Sequence, residues 1–317
     1  MQKKKIKTKY IVYLIILVVA CIFGSQIDGF FTATNILNVT RQASTIAICA
    51  LAMTLVLIIQ GIDLGTGGVM AFCAMISGFM MLNGIPVFLC MLCGAGVGLL
   101  IGVLNGILVS KVEIPPFVAT YVTGQITLGL ALVVGQGSAL SGLPDDYVWI
   151  GNSTFLAIPI NTWIMIVLLI VTSVILKYTR MGKHIYALGG NENVVKTEGI
   201  NPGNIKIFAF ALCGLYSAIA GILLSAQIAT VHPTEGASYQ LDAVAASLVG
   251  GVSMLGGEGK ARMSVLGALI IGFLRNALDM KAIDPFYQNL FIGLAIILVV
   301  GVSVHNKNKE LAAAKVF

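Results

Sequence analysis

The stretch IIQGIDLGTGG, residues 58–68, joins two apolar runs and contains a single carboxylate, that of Asp63. From Ala43 to Val109 the chain has no other acid and no lysine or arginine. A charged side chain near the centre of a membrane-spanning helix costs about 2.5–3.5 kcal/mol, so it belongs at a cavity, a partner or a break in the helix. Four glycines lie near Asp63 and favour a break in the helix: Gly61, Gly65, Gly67 and Gly68.

The composition outside this stretch is that of an integral membrane protein. The 317 residues are 58% hydrophobic and 10% charged, where a soluble domain has about 25% charged residues. The length leaves room for about ten spans of ~20 residues and for little else. We therefore expect one transmembrane domain over residues 1–317, all-α and polytopic, with any large aqueous domain supplied by partners.

Ten apolar runs follow one another along the chain, and each predicts a membrane-spanning helix. The run 241–257 is short and glycine-rich, which predicts a broken or re-entrant segment. The runs are 10–27, 43–60, 65–82, 86–109, 115–135, 161–179, 205–228, 241–257, 262–280 and 286–304.

The basic residues predict the orientation of these spans. Five lysines lie in residues 1–9, and others occupy Lys111, the loop 180–204 and the tail 305–317. By the positive-inside rule these segments are cytoplasmic. The segment 136–160 has no lysine or arginine and is predicted to be outside, whereas Arg41 and Lys281 are exceptions to the rule.

The six cysteines all lie in apolar runs, and Cys90 with Cys93 forms a C-x-x-C pair. No second ligand pair accompanies them, so two small residues on a helix are the simpler interpretation. We expect no disulfide, no metal site and no cofactor bound by this chain.

A glycine recurs every four residues in GAGVGLLIGVLNG, at Gly94, Gly98, Gly102 and Gly106. These positions share one side of a helix, where small residues let another backbone approach closely. The pattern favours an internal helix crossing over a contact between subunits.

The loop 180–204 is the longest predicted on the cytoplasmic side. Its stretch GGNENVVKTEG predicts a short helix, with Asn191 as the cap and Glu192 in the first turn. A short amphipathic helix at this place is suited to docking a soluble partner.

Four blocks of the chain resemble the permease subunits of bacterial ABC importers of the ribose and related monosaccharide type. The likeness extends from about Phe30 to Val304. The blocks are AMTLVLIIQGIDLGTGGVMA (52–71), IPPFVATYVTG (114–124), the ALGGNE, GIN and KI segments of 187–207, and PTEGASYQLDAVAASLVGGVSMLGGEGKARMSVLGALIIGFLRNAL (233–278).

The resemblance implies a non-catalytic translocation subunit in the bacterial plasma membrane, paired with a second permease, most simply as a homodimer. Cytoplasmic ATPase subunits would bind ATP and Mg²⁺, and an extracytoplasmic sugar-binding protein would deliver the solute. This chain has no Walker motif of its own. The resemblance also places these residues at or beside the ATPase contact: Gly189, Gly190, Asn191, Glu192, Gly199, Ile200 and Asn201.

The first block departs from the family pattern, which usually reads GIDLSVGS. Here Gly65 and Gly68 replace two serines, so two hydroxyl groups are lost, and Thr66 is the hydroxyl that remains.

Three roles compete for Asp63: capping a helix start near Gly65 to Gly68, contacting the passing solute, and relaying protons. The cap is favoured because glycines follow at once and no second acid or histidine lies in the run. Asp242 opens an apolar run, which favours an interaction with the dipole of its helix over the alternative, direct contact with the sugar. His232 and Glu235 are expected at the outer mouth. Arg275, inside a span, needs an acidic or carbonyl partner.

Two other functions are each compatible with one feature of the sequence. An intramembrane aspartyl protease would use Asp63 and Asp242 as a pair, but neither follows the glycine typical of such enzymes. A stand-alone secondary transporter would use Asp63 to couple a cation gradient, and it would leave the loop 180–204 without a role.

Overall fold

The computed structural model describes residues 27–284 without a gap, together with Ser25 and six single positions beyond Pro285. The predicted runs 10–27 and 286–304 lie almost entirely outside the described residues. The predicted tails 1–9 and 305–317 lie wholly outside them.

The described residues form eleven α-helices and one short β-hairpin. The helices are α1 (Ala33–Ile58), α2 (Thr66–Leu82), α3 (Val87–Ser110), α4 (Pro116–Val134), α5 (Asp145–Asn152), α6 (Ile160–Tyr178), α7 (Arg180–Gly190), α8 (Glu192–Thr197), α9 (Pro202–Ile228), α10 (Ala237–Val249) and α11 (Ala261–Met280). The hairpin pairs β1 (Thr154–Phe155) with β2 (Ile158–Pro159) in antiparallel orientation.

Six of these helices are long and apolar enough to cross a membrane: α1, α3, α4, α6, α9 and α11. The prediction of a polytopic all-α membrane protein is therefore confirmed. Helices α2 and α10 are shorter, at 17 and 13 residues. Eight of the ten predicted runs fall on described residues, and each of these eight contains a helix.

The predicted extent of the run 241–257 is wrong. Helix α10 begins earlier and ends at Val249, and a loop covers the rest. Gly251, Gly256 and Gly257 take positive φ angles of 78°, 75° and 71°, which a helix cannot contain. The glycines that weakened the hydropathy signal are the residues that end the helix.

Helix α1 forms the centre of the bundle. In its most apolar stretch of 18 residues 89% of the residues are buried, and the helix packs against α6, α9, α10 and α11. Helices α3, α4 and α6 instead leave large apolar side chains exposed, among them Leu100, Val133 and Ile170. In a bilayer such faces contact lipid or another apolar protein surface.

The loops predicted to be outside lie together at one end of the bundle. Leu140 and Val231 form a bridge of two backbone hydrogen bonds of 3.0 Å. Arg41 donates to the carbonyl oxygen of Asn152, whose side-chain amide in turn donates to Gln227 O. Arg41, an exception to the positive-inside rule, thus lies beside the segment 136–160, which is predicted to be on the same, outer side of the membrane.

The loops predicted to be inside meet at the other end. The Gln60 side chain donates hydrogen bonds to the carbonyl oxygens of Gly189 and Leu255. Tyr186 of α7 donates from its hydroxyl to Gly259 O at 2.7 Å. The grouping of loops by basic residues therefore agrees with the contacts at both ends.

The glycine stripe of α3 faces α9. A Cβ added at Gly98 would lie 2.6 Å from Gly214 O, and one at Gly106 would lie 2.5 Å from the Cα of Ile207. A Cβ added at Gly94 would meet Ser77 and Ile222. One added at Gly102 would meet Phe210 and Ala211. The stripe forms a helix crossing inside the subunit, where close backbone contact supplies the dispersion energy.

Candidate translocation and coupling sites

Residues 59–65 form a non-helical connection between α1 and α2, and Asp63 lies buried within it, 4% exposed. The N–H of Gly65 donates to Asp63 Oδ1 at 2.7 Å, one residue before α2 begins. A carboxylate at this position satisfies a free N–H group and complements the positive end of the helix dipole. Asp63 thus closes the turn that leads into α2, whose N-cap residue is Gly65.

Thr120 of α4 holds the same connection from the side. Its hydroxyl accepts a hydrogen bond from Leu64 N at 2.9 Å and donates to Pro116 O at 2.8 Å within its own helix. Thr120 is fully buried. Irregular backbone at membrane depth needs such internal partners, because lipid offers none. We did not predict this residue: a threonine inside an apolar run carries no distinctive signal.

The two glycines that replace the family's serines pack against α4. A Cβ at Gly65 would lie 2.6 Å from Thr120 O, and one at Gly68 would collide with Gly124 O and lie 2.6 Å from Thr127 Oγ1. Both positions therefore lie where α2 and α4 are in close backbone contact. Thr66, the first residue of α2, is 1% exposed and beside Cys213 of α9.

The amino ends of α2 and α10 meet inside the bundle. A Cβ on Gly67 would lie 2.5 Å from Gly236 O, and Gly236 immediately precedes α10. Further along α2, Met70 accepts a hydrogen bond from Cys49, which lies in the interior of α1. Two short helices with facing amino ends are a known way to build a polar position within a membrane protein. The preceding loop contains His232 and Glu235, whose backbones are hydrogen-bonded to each other.

Asp242 and Arg275 form a buried ion pair between α10 and α11. Arg275 Nη2 lies 2.8 Å from Asp242 Oδ1, and the two side chains are 20% and 3% exposed respectively. The expectation that Asp242 interacts with the amino end of its helix is wrong, because α10 starts at Ala237 and Asp242 is in its second turn. The pair instead supplies the partner that Arg275 needed.

The loop 180–204 contains two helices, α7 and α8. Asn191 caps α8, accepting from Asn193 N at 2.9 Å and Val194 N at 3.4 Å. Glu192, in its first turn, bonds Lys196 at 3.0 Å and Lys206 of α9 at 2.9 Å. The hydrogen bond from Lys206 is the main cause that lowers the pKa of Glu192 from its ordinary value. This side chain therefore ties α8 to the start of a membrane-spanning helix.

The turn between α7 and α8 does not lie at the two glycines Gly189 and Gly190. Helix α7 continues through both glycines, and the chain turns at Asn191, whose φ of −162° and ψ of 111° are extended. Gly189 is buried against Ile58 O, whereas Gly190 has no atom within 4 Å of an added Cβ. Gly189 is thus a packing position and Gly190 an open one.

The remaining residues of the loop shape the connection into α9. Gly199 takes a φ of 74°, and Ile200 N donates to Val195 O, which closes the carboxyl end of α8. Asn201 accepts from Gly203 N at 2.8 Å and caps α9. A cavity of about 600 Å³ lies between this connection and the turn from α3 to α4, lined in part by Lys111, Glu192 and Lys206.

The fold and these sites define a multi-pass membrane protein of the permease class, with a broken segment, two short helices that meet inside it and a structured loop at one end. Comparison with known proteins agrees: residues 35–300 match the family described as branched-chain amino acid transport system / permease component. The chain belongs to this family, and the resemblance to ABC-importer permeases is confirmed.

Its relatives cover nearly the whole chain. It is 40% identical to the ribose import permease protein RbsC of Haemophilus influenzae over 298 residues, 93% of this chain and 92% of that one. It is 35% identical to the protein of the same name in Bacillus subtilis, over 86% and 85% of the two chains. The D-allose transport system permease protein AlsC of Escherichia coli is 30% identical over 92% and 90%. No solved structure matches.

Proposed function

We propose that this chain is the permease subunit of an ATP-driven, binding-protein-dependent importer of ribose or a closely related monosaccharide. Its relatives in two distant bacteria carry the name of ribose import permeases, and the family is one of transport permeases. The observation that carries the proposal is helix α8, which is capped by Asn191 and bonded through Glu192 to Lys206 of α9. A permease that moved solute on its own would need no such helix.

The proposed mechanism separates the energy source from the path. ATPase subunits on the cytoplasmic side bind and hydrolyse ATP with Mg²⁺ and displace α8. Glu192 and Lys206 pass this displacement to α9, and the glycine stripe of α3 makes α9 and α3 move together. Exposed Val194, at 53%, offers the partner an apolar contact on α8 itself.

The proposed path runs past the amino ends of α2 and α10. A neutral sugar needs hydrogen-bond partners but no opposite charge, and Thr66 and Asp63 are polar side chains near this point. These side chains are buried in the described bundle. Solute passage at this level therefore requires α2 and α10 to separate.

A second permease, in the simplest case a second copy of this chain, completes the assembly. The exposed apolar faces of α3, α4 and α6 exceed what a soluble surface tolerates and suit lipid and a partner copy. The native mass of the detergent-solubilised complex should show two permeases. An active complex that contains one permease would contradict this part of the proposal.

Reconstitution tests the function directly. Vesicles that contain this chain, its ATPase and its binding protein should take up radiolabelled ribose only when ATP is on the cytoplasmic side. Uptake by the permease alone on a proton or sodium gradient would overturn the proposal in favour of a secondary transporter. A panel of ribose, allose, xylose and galactose with the binding protein then ranks the solutes.

Labelling in intact cells tests the orientation. On a background without native cysteines, Ser141→Cys should react with an impermeant reagent from outside. Lys196→Cys should react only after permeabilisation. The reverse pattern would contradict the assignment of the loop 180–204 to the ATPase side.

A further inference from the structure

Three separate segments meet at the end of the bundle that holds the loop 180–204. They are the end of α1, the carboxyl end of α7 and the turn 250–260 that follows α10. The Gln60 amide donates to Gly189 O at 2.9 Å and to Leu255 O at 3.1 Å. Gly257 N donates to Ile58 O at 2.9 Å. We call these contacts the Gln60 junction.

The junction is closely packed because its backbones touch. A Cβ on Gly189 would collide with Ile58 O and lie 2.5 Å from Gly257 N. A Cβ on Gly256 would collide with the Gln60 side chain. A displacement of α7 at this point therefore cannot be absorbed by empty space and must move the neighbouring segments.

The junction leads directly to both short helices. Gln60 is the second residue of the connection 59–65, which also contains Asp63 and leads into the first turn of α2. Leu255 lies in the turn that leaves the carboxyl end of α10. One side chain thus joins the loop 180–204 to the two helices whose amino ends meet at Gly67 and Gly236.

The side chain of Gln60, rather than its backbone conformation, is what distinguishes this position. Its φ of 64° lies in the left-handed region, which glycine and asparagine adopt more readily than glutamine. Glutamine is long enough to reach two carbonyl oxygens on different segments, which neither of the others can do.

We propose that Gln60 is a positioning residue that transmits movement of the loop 180–204 to α2 and α10 together. This inference rests on the proposed function, because it assumes that ATPase subunits act on that loop. Gln60 does not contact solute or nucleotide in this assignment. Its role is to keep the two short helices in step with α7.

The test uses the complete reconstituted transporter and measures sugar uptake per ATP hydrolysed. Gln60→Leu removes both hydrogen bonds, and two such bonds of ordinary net strength correspond to a change of about tenfold in an equilibrium. We expect uptake per ATP to fall by about this factor while ATPase co-purification and basal hydrolysis stay unchanged. Unchanged uptake per ATP in Gln60→Leu would overturn the inference.

Gln60→Asn and Gln60→Gly distinguish transmission from a simple turn. Both fit the left-handed conformation better than glutamine, so a residue needed only for the turn would tolerate them or gain stability. Transmission predicts that both are as poorly coupled as Gln60→Leu. Wild-type uptake per ATP in either variant would therefore reject the proposal, even if Gln60→Leu failed to assemble.

Gln136→Leu is the matched control. Gln136 is also exposed and left-handed, with a φ of 50°, and lies just past the end of α4 at the opposite end of the bundle. It should retain wild-type uptake per ATP, and equal losses in the two leucine variants would contradict a specific role for Gln60. If the wild-type chain itself failed to co-purify with the ATPase, the proposed function would fail rather than this inference alone.

Discussion

Gly67, in the first turn of α2, lies backbone against backbone with Gly236, the residue before α10. Neither position has room for a Cβ, so a larger residue at either one would clash with the start of the other helix. The contact places two helix starts beside each other inside the bundle, on the proposed route of the solute.

Gly236→Ala should push these helix ends apart. Overpacking of a close backbone contact costs typically about 1–3 kcal/mol, so we expect a lower unfolding temperature in detergent and reduced sugar uptake. Gly129→Ala is the control, since Gly129 has no atom within 4 Å of an added Cβ. Equal behaviour of the two variants would show that the contact is not tight.

Removal of one partner from the Asp242 and Arg275 pair should be strongly destabilising. A buried charge left without its partner costs about 3–5 kcal/mol, so Asp242→Asn and Arg275→Met should each lower the yield of folded protein and its unfolding temperature. The double variant, which leaves no charge, should recover much of the loss. Additive losses in the double variant would show that the two residues act independently.

Asp63→Asn and Asp63→Leu separate two of the roles considered for Asp63, the cap and the proton relay. The asparagine oxygen can still accept from Gly65 N, so a cap predicts near-normal uptake for Asp63→Asn and a large loss for Asp63→Leu. A proton relay predicts that both variants are inactive, because neither titrates. Uptake by reconstituted vesicles, with folding checked by size-exclusion chromatography, decides between them.

Gly189→Val should disrupt coupling, and Gly190→Val should not. A side chain at Gly189 would collide with Ile58 O, whereas Gly190 is exposed and has no atom within 4 Å of an added Cβ. The measurements are ATPase co-purification, stimulation of ATP hydrolysis by the binding protein, and uptake. A normal Gly189→Val transporter would remove the loop from the coupling route, and an inactive Gly190→Val transporter would place the critical surface on the exposed side of α7.

Glu192 should anchor α8 throughout the neutral pH range. Its folded pKa is lowered by Lys206 and Lys196, so the stabilisation is present above the ordinary pKa of glutamate and is lost only as the pH falls through the lowered value. Glu192→Gln should imitate this acid state at neutral pH and weaken ATPase co-purification. Glu198→Gln is the control, and a similar loss in both variants would argue against the anchoring role.

Much of the architecture could be predicted because its causes are local. A helix through an apolar run, a cap by Asn191 and a glycine every four residues depend on neighbours within one or two turns. The basic residues grouped most loops as the contacts do, with Arg41 as an exception, because the charge of a loop is a local property. The error at Asp242 came from a helix that begins four residues earlier than the hydropathy of the run indicated.

The sequence by itself determined that the chain is a polytopic helical membrane protein, where most of its apolar helices lie, and that Asp63 lies in a break between two of them. Only the tertiary structure decided that Asp242 pairs with Arg275, that Gly67 meets Gly236, and that Gln60 reaches two other segments. Hydropathy and capping depend on residues close together in the chain, so they can be recognised in the sequence. Contacts between distant segments depend on which faces of the packed helices meet, and no single segment specifies that choice.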